Sequence, residues 1–253
     1  MYMPAKSLSV NYTAKICDLV RGLLYIVILC CLQQVILAQG KAQVSFIGLD
    51  DKIEAINYRD TFQLSLRING LIADLQANGY LLARVTALNA TDDGTQVDIY
   101  VGQLYKWLGL NPGNLPETLQ SKIGYKPKHF SQSPFKPKRL SKLVSKILSL
   151  SQDAGYPFAS VQLDSIVINN NEINATIDYN AGPHISFDSL HITGDASVKR
   201  AWLQAFLEIN PSNSFNQKKV SEIGTKVDRL PFVDLKSPPK ITFQNEQATV
   251  YLN

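Results

Sequence analysis

The chain has 253 residues, 45% of them hydrophobic and 18% charged, which is enough apolar material to bury a core and excludes a disordered tail. The formal charge is +4, and beyond position 37 the balance falls to 22 Lys and Arg against 20 Asp and Glu. That near-neutrality argues against a protein built to neutralise nucleic-acid phosphates. Three His and three Cys leave little material for a metal site or redox centre.

In chain order, the first element is a leader. Lys6, Lys15 and Arg21 form a basic start, Gly22 to Leu32 an apolar run, and Ala38-Gln39-Gly40 a small-residue cleavage pattern. Residues 1–40 are expected to be a signal peptide cut between Ala38 and Gln43, with a retained anchor as the alternative. Cys17, Cys30 and Cys31 all lie in it, so the exported chain is expected to lack disulfides.

The remainder is organised by a repeat. Leu75-Gln-Ala-Asn-Gly79-Tyr80-Leu-Leu-Ala83 is echoed by Leu150-Ser-Gln-Asp-Ala-Gly155-Tyr156-Pro-Phe-Ala159, the Gly-Tyr pairs lying 76 residues apart. A weaker copy, Leu230-Pro231-Phe232-Val233, follows about 75 residues later. A helical stripe precedes each copy: Leu64, Ile68, Leu71, Leu75; then Leu140, Leu143, Ile147; then Val220, Ile223, Val227. Gly79 and Gly155 are expected to end their helices with positive φ, which glycine adopts without steric cost. Two alternating strands around a polar turn follow each copy, at 82–101, 161–179 and 240–252.

An opening strand precedes the helices of the later copies, at Gly102 to Leu110 and Pro183 to Gly194, the latter with a bulge expected near Asp188-Ser189. A helix from about Ala196 is expected to present Trp202, Phe206 and Ile209 on one face. The spacing predicts strand-helix-helix-strand-strand units over 41–102, 103–182 and 183–253, the first shortened, with Ala42 to Leu49 its only candidate opening strand.

With His191-Ile192-Thr193-Gly194 closing a strand, two helices, Gly155-Tyr156-Pro157-Phe158-Ala159 and a final hairpin, this pattern resembles a polypeptide-transport-associated (POTRA) domain. Several units behind a leader resemble the periplasmic arm of the BamA/TamA outer-membrane assembly family. The resemblance implies an α+β fold, each unit carrying two helices on a three-stranded mixed sheet, and no enzyme activity or cofactor. Its implied partners are unfolded outer-membrane proteins or accessory assembly subunits, met in the periplasm or at the outer membrane. Family members continue into a transmembrane barrel, and 253 residues hold no such barrel, so the chain is expected to be a truncated product or a free-standing envelope scaffold.

The candidate site is a sheet edge that accepts an added strand. In the family this is the strand after the second helix: Leu82–Ala87, Ser237–Phe243 and above all Ser160, Val161, Gln162, Leu163, Asp164 and Ser165. A second candidate surface comes from charge alone. From Thr118 to Gln152 there are eight basic residues, among them Lys126, Lys128, Lys136, Lys138 and Arg139, and no acidic one. A solvated loop and helix face accounts for such a run; contact with an anionic membrane surface or an acidic partner is the functional reading. His184 and His191 carry no ligand spacing, no catalytic or metal motif appears, and a secreted hydrolase has no polar constellation to support it.

Overall fold

The computed structural model describes residues 40–49, 52–194 and 197–253. Residues 1–39 of the expected leader, with its three cysteines, lie outside the described residues, and Gly40 begins the first strand. No helix among the described residues is long and apolar enough to cross a membrane.

The described residues form two compact bodies. One comprises those up to Leu75 together with Leu82–Gly102; the other comprises Gln76–Leu81 and Gln103–Asn253. The first holds β1 (Gly40–Ile47), β2 (Ile53–Tyr58), most of α1 (Thr61–Ala77), β3 (Arg84–Thr91) and β4 (Gly94–Tyr100). Its sheet runs β2-β1-β4-β3, with β1 and β4 parallel and the outer pairs antiparallel. Ala42, Val44 and Phe46 of β1 and Val97 and Ile99 of β4 are buried at the two-residue period of a sheet face. Leu64 and Ile68, one helical turn apart, are the buried stripe of α1. That helix is started by a local device: Asp60 Oδ1 accepts the Gln63 N–H at 2.7 Å, and Gln63 Oε1 accepts the Arg59 N–H at 2.8 Å.

Here the two-helix, three-stranded expectation is corrected. The first helix is replaced by β2, which pairs with β1 over six residues, from Gly40↔Tyr58 to Ser45↔Ile53. Only residues 48–60 separate β1 from α1, and Ile53, Ile56 and Tyr58 favour a strand over a helix there.

The second body carries two sheets of the expected topology. One is built from β5 (Lys106–Asn111), α2 (Glu117–Ile123), a 3-10 turn (Pro127–Phe130), α3 (Pro137–Asp153), β6 (Ser160–Asn169) and β7 (Glu172–Asn180), in the order β5-β7-β6. The other uses β8 (Ser186–Ile192), α4 (Arg200–Leu207), α5 (Gln217–Ser221), α6 (Ile223–Val227), β9 (Lys240–Gln244) and β10 (Gln247–Leu252), in the order β8-β10-β9. Trp107, Leu110, Ile147, Ala175 and Ile177 pack one core; Phe187, Leu203, Leu207, Phe215, Ile223 and Val250 pack the other. The expected bulge falls at Asp188, where Ala248↔Phe187 is followed by Thr249↔Ser189.

In one helix Trp202 and Phe206 share a face as expected, and Ile209 does not join them. The described part of α4 starts at Arg200, and Leu203 and Leu207 are its buried residues. Trp202 and Phe206 lie on the exposed side, their rings stacked at 5.3 Å, while Ile209 is buried beyond the helix end. Both glycines of the Gly-Tyr pairs have the expected positive φ, +106° at Gly79 and +99° at Gly155. At Gly155 space adds a second requirement: a Cβ would lie 2.5 Å from His184 Nε2, and the Gly155 carbonyl accepts the Ile185 N–H at 2.7 Å.

Candidate functional site

Each sheet has two edges, and the chain treats them unequally. In the second sheet the segment between the helices runs back along β5. The Trp107 N–H donates to Ser133 O and the Phe135 N–H to Tyr105 O, both at 2.8 Å, and the Gln132 N–H donates to Trp107 O at 2.7 Å. In the third sheet the same arrangement covers β8: Phe187 N–H to Asn213 O, Ser212 N–H to Phe187 O and Phe215 N–H to Ile185 O, all at 2.8 Å. In the first sheet the equivalent side of β1 is taken by all of β2. The opening strand is thus always covered by the chain itself, and the edges on the other side of the sheets are β3, β6 and β9, each overlapping the edge that the sequence reading named, while β2 forms the remaining edge of the first sheet.

The longest of these edges is β6, with ten residues. Val161 and Leu163 point inward and pack on the core around Trp107 and Ile147. Ser160, Gln162 and Asp164 are exposed, and the ladder to β7 is regular from Ser160↔Asn180 to Asp164↔Thr176. A bulge follows at Ser165, whose φ is +50°, and pairing resumes at Val167↔Asn174. Beyond the bulge Ile166, Val167 and Ile168 are 55%, 48% and 54% exposed. The sequence reading stopped at Ser165 and missed these three. Their signal was present as a run of β-branched apolar residues without polar alternation, just before the Asn170-Asn171 turn with its φ values of +47° and +65°.

The other two edges differ. On β3 the Leu88 side chain is 58% exposed beside a groove of about 320 Å³ lined by Leu64, Ile68, Val85 and Leu88. On the third sheet the strand begins at Lys240, so Ser237–Pro239 lie outside it, a correction to the expected Ser237–Phe243 edge. Pro238 and Pro239 instead line a groove of about 580 Å³ with Val220, Gly224 and Asp228. Proline has no N–H to offer a ladder, which ends the strand there. At the other end of β9, Phe243 packs edge-on against Phe158 with ring centres 4.9 Å apart.

The five candidate cations are exposed around α3. Lys126 precedes the 3-10 turn, Lys128 lies in it, and Lys136 precedes α3, whose first turn carries Lys138 and Arg139. The Arg139 guanidinium lies over the Phe130 ring at 5.1 Å. Beneath them Tyr125 donates its hydroxyl to Leu110 O, and burial pushes its pKa up. In the third sheet's helices, Lys219 and Lys226 bond the exposed Glu208 carboxylate and hold it below its ordinary range. Among the described residues no group of His, Cys, Asp and Glu could hold a metal ion.

No protein-family model matches the sequence, and no curated protein matches it. Among solved structures, the chain is similar to the POTRA3-5 segment of Haemophilus influenzae BamA. The TM-score is 0.50 at 15% identity, covering 85% of this chain and 96% of that one. It also matches BamA from Haemophilus ducreyi lacking POTRA domains 1–3, with a TM-score of 0.42 and 18% identity over 57% of this chain and 28% of that one. A third match is POTRA1-3 of the periplasmic domain of Omp85 from Anabaena, with a TM-score of 0.37 and 13% identity over 85% of this chain and 96% of that one. The first of these, which covers most of both chains, shows that the chain has the fold of POTRA domains.

Proposed function

We propose that the chain is a periplasmic arm of outer-membrane protein assembly, with tandem POTRA units behind a cleaved leader. It holds unfolded outer-membrane proteins, or an accessory subunit, by strand addition at β6. The observation that carries this reading is the asymmetry of the second sheet: the chain caps β5 with its own backbone and leaves β6 open and apolar. An open edge presents a row of N–H and C=O groups that an extended peptide can pair with, whatever its side chains. Ile166, Val167 and Ile168 add apolar area to that edge, which raises affinity without demanding a sequence. The leader fits the same picture when it is cut early in its window. Cleavage after Ala38 keeps β1 whole, whereas cleavage after Ala42 removes Gly40, Lys41 and Ala42, the partners of Tyr58, Asn57 and Ile56.

The test is a pair of substitutions in β6. Gln162→Pro removes an N–H and fixes φ, whereas Gln162→Ala keeps the backbone and removes only the side chain. With both variants shown folded by circular dichroism, Pro is expected to abolish binding of an unfolded outer-membrane peptide and Ala to leave it nearly intact. Equal binding by the two folded variants would contradict strand addition at this edge.

A further inference from the structure

Charge is segregated along this chain. Of its 25 Lys and Arg, eight fall between Thr118 and Gln152, where no Asp or Glu occurs, and the other 17 face 21 acidic residues. All eight (Lys122, Lys126, Lys128, Lys136, Lys138, Arg139, Lys142 and Lys146) are exposed.

The fold gathers them around α3. Lys138, Lys142 and Lys146 step by four along the solvent side of the helix, a row about 12 Å long at 1.5 Å per residue, while Ile147 is buried on the other side. Two contacts join this row to its neighbours. Lys146 Nζ donates to Ile123 O at 3.1 Å, at the end of α2 beside Lys122. Arg139 lies over Phe130, in the turn that carries Lys126 and Lys128. The ion pairs of the described residues, Lys52–Glu54, Lys218–Glu222 and those of Glu208, use none of the eight.

What the surface lacks identifies its partner. Protein interfaces are anchored by apolar and aromatic side chains at their centre. Here the apolar residues beneath the cations, Ile123 and Phe130, are buried, and none of the exposed large apolar residues falls between Leu108 and Phe158. A broad, exposed, purely cationic surface suits a partner that is itself broad and anionic and asks for no shape. We infer that this face of α2, the 3-10 turn and α3 adsorbs to an anionic phospholipid bilayer. It is a different surface from the β6 edge, and the inference does not rest on strand addition.

The experiment is vesicle flotation of the full chain at low salt. Vesicles of phosphatidylcholine alone are compared with vesicles containing phosphatidylglycerol at about 30%. The readout is the ratio of the two partition coefficients; the N-terminal segment, with its apolar run and Lys6, Lys15 and Arg21, is common to every variant, so differences in the ratio between variants report the face around α3. Wild type is expected to show a ratio of at least about tenfold, collapsing in about 0.5 M NaCl. The variant Lys126→Gln, Lys128→Gln, Lys138→Gln, Lys142→Gln is expected to lower the ratio at least about fivefold. A control of equal charge change, Lys52→Gln, Lys106→Gln, Lys199→Gln, Lys218→Gln, is expected to keep at least half of the wild-type ratio. Equal loss in the two variants would overturn the inference, because net charge alone would then explain binding. A wild-type ratio near one would also overturn it, and if the chain then captured soluble polyaspartate through these cations, an acidic protein would be the partner instead.

Discussion

Strands β6 and β9 occupy the same place in two sheets of the same topology, yet their edges are finished in opposite ways. β9 has five residues, begins at Lys240 after Pro238-Pro239, and has Phe243 packed against Phe158. β6 has ten residues and ends in three consecutive exposed apolar side chains. Short length, lysine and proline are the devices by which sheets discourage unwanted pairing, and β9 has all of them. β6 has its bulge at Ser165 and one exposed charge, Asp164, but neither lysine nor proline. One backbone topology thus gives a short, lysine-led edge or a long, apolar-ended one according to a few residues, and the difference supports the proposal that β6 is the working edge.

The largest expected effect tests what supports β6. Ile147 of α3 is fully buried under that sheet, and Ile223 of α6 is fully buried in the third core. Ile147→Ala is expected to cost about 3 kcal/mol in chemical denaturation, and Ile223→Ala a similar amount. Peptide binding near the melting midpoint should fall with the first substitution. If it fell equally with both, the two edges could not be told apart by stability.

Next in size is removal of the apolar run. Ile166→Thr, Val167→Thr, Ile168→Thr keeps β-branched side chains on the strand and removes apolar area. Affinity for an unfolded outer-membrane peptide, measured by titration calorimetry, is expected to drop about tenfold, with little change in melting temperature. The converse change sharpens the comparison. Lys240→Ile with Pro239→Thr strips two guards from β9 and is expected to give concentration-dependent self-association in sedimentation, which wild-type β9 does not support.

The smallest effect is a pH dependence confined to the third sheet's helices. Lys219 and Lys226 depress the Glu208 pKa, so its stabilising contribution is present above the ordinary carboxylate value of 4.5 and is lost as pH falls through the lower folded value. Glu208→Gln is therefore expected to lower the melting temperature at neutral pH by about one degree, as befits a solvent-exposed pair, and to change nothing at pH 2. An equal decrement at both pH values would mean that the side chain acts through something other than its charge.

Much of this was legible in the sequence because it rests on side-chain patterns. The hairpins announced themselves through Asn170-Asn171 and Asn245-Glu246, the helix ends through Gly79 and Gly155, and the bulge through the broken alternation at Asp188-Ser189. The misses have a common cause. The caps on β5 and β8 are made of backbone N–H and C=O groups, which carry no residue signature. The replacement of a helix by β2 turned on how few residues join β1 to α1. Trp202, Phe206 and Ile209 were expected on one face of a helix, yet the helix ends before Ile209, and Leu203 and Leu207 fill the core and leave the two aromatic rings outside. At the candidate site, Val161 and Leu163 were legible by alternation, whereas Ile166, Val167 and Ile168 lie past a bulge that shifts the pairing.

The central claim is that β6 receives a strand and β9 does not, and backbone amide exchange reads it directly. The full chain is measured with and without a saturating peptide from an outer-membrane barrel strand. Peptide is expected to slow exchange of amides within Ser160–Asn169 by at least about tenfold, since added ladder bonds must open before exchange, and to leave Lys240–Gln244 unchanged. Protection at Lys240–Gln244 with none at Ser160–Asn169, or binding without protection at either strand, would contradict it.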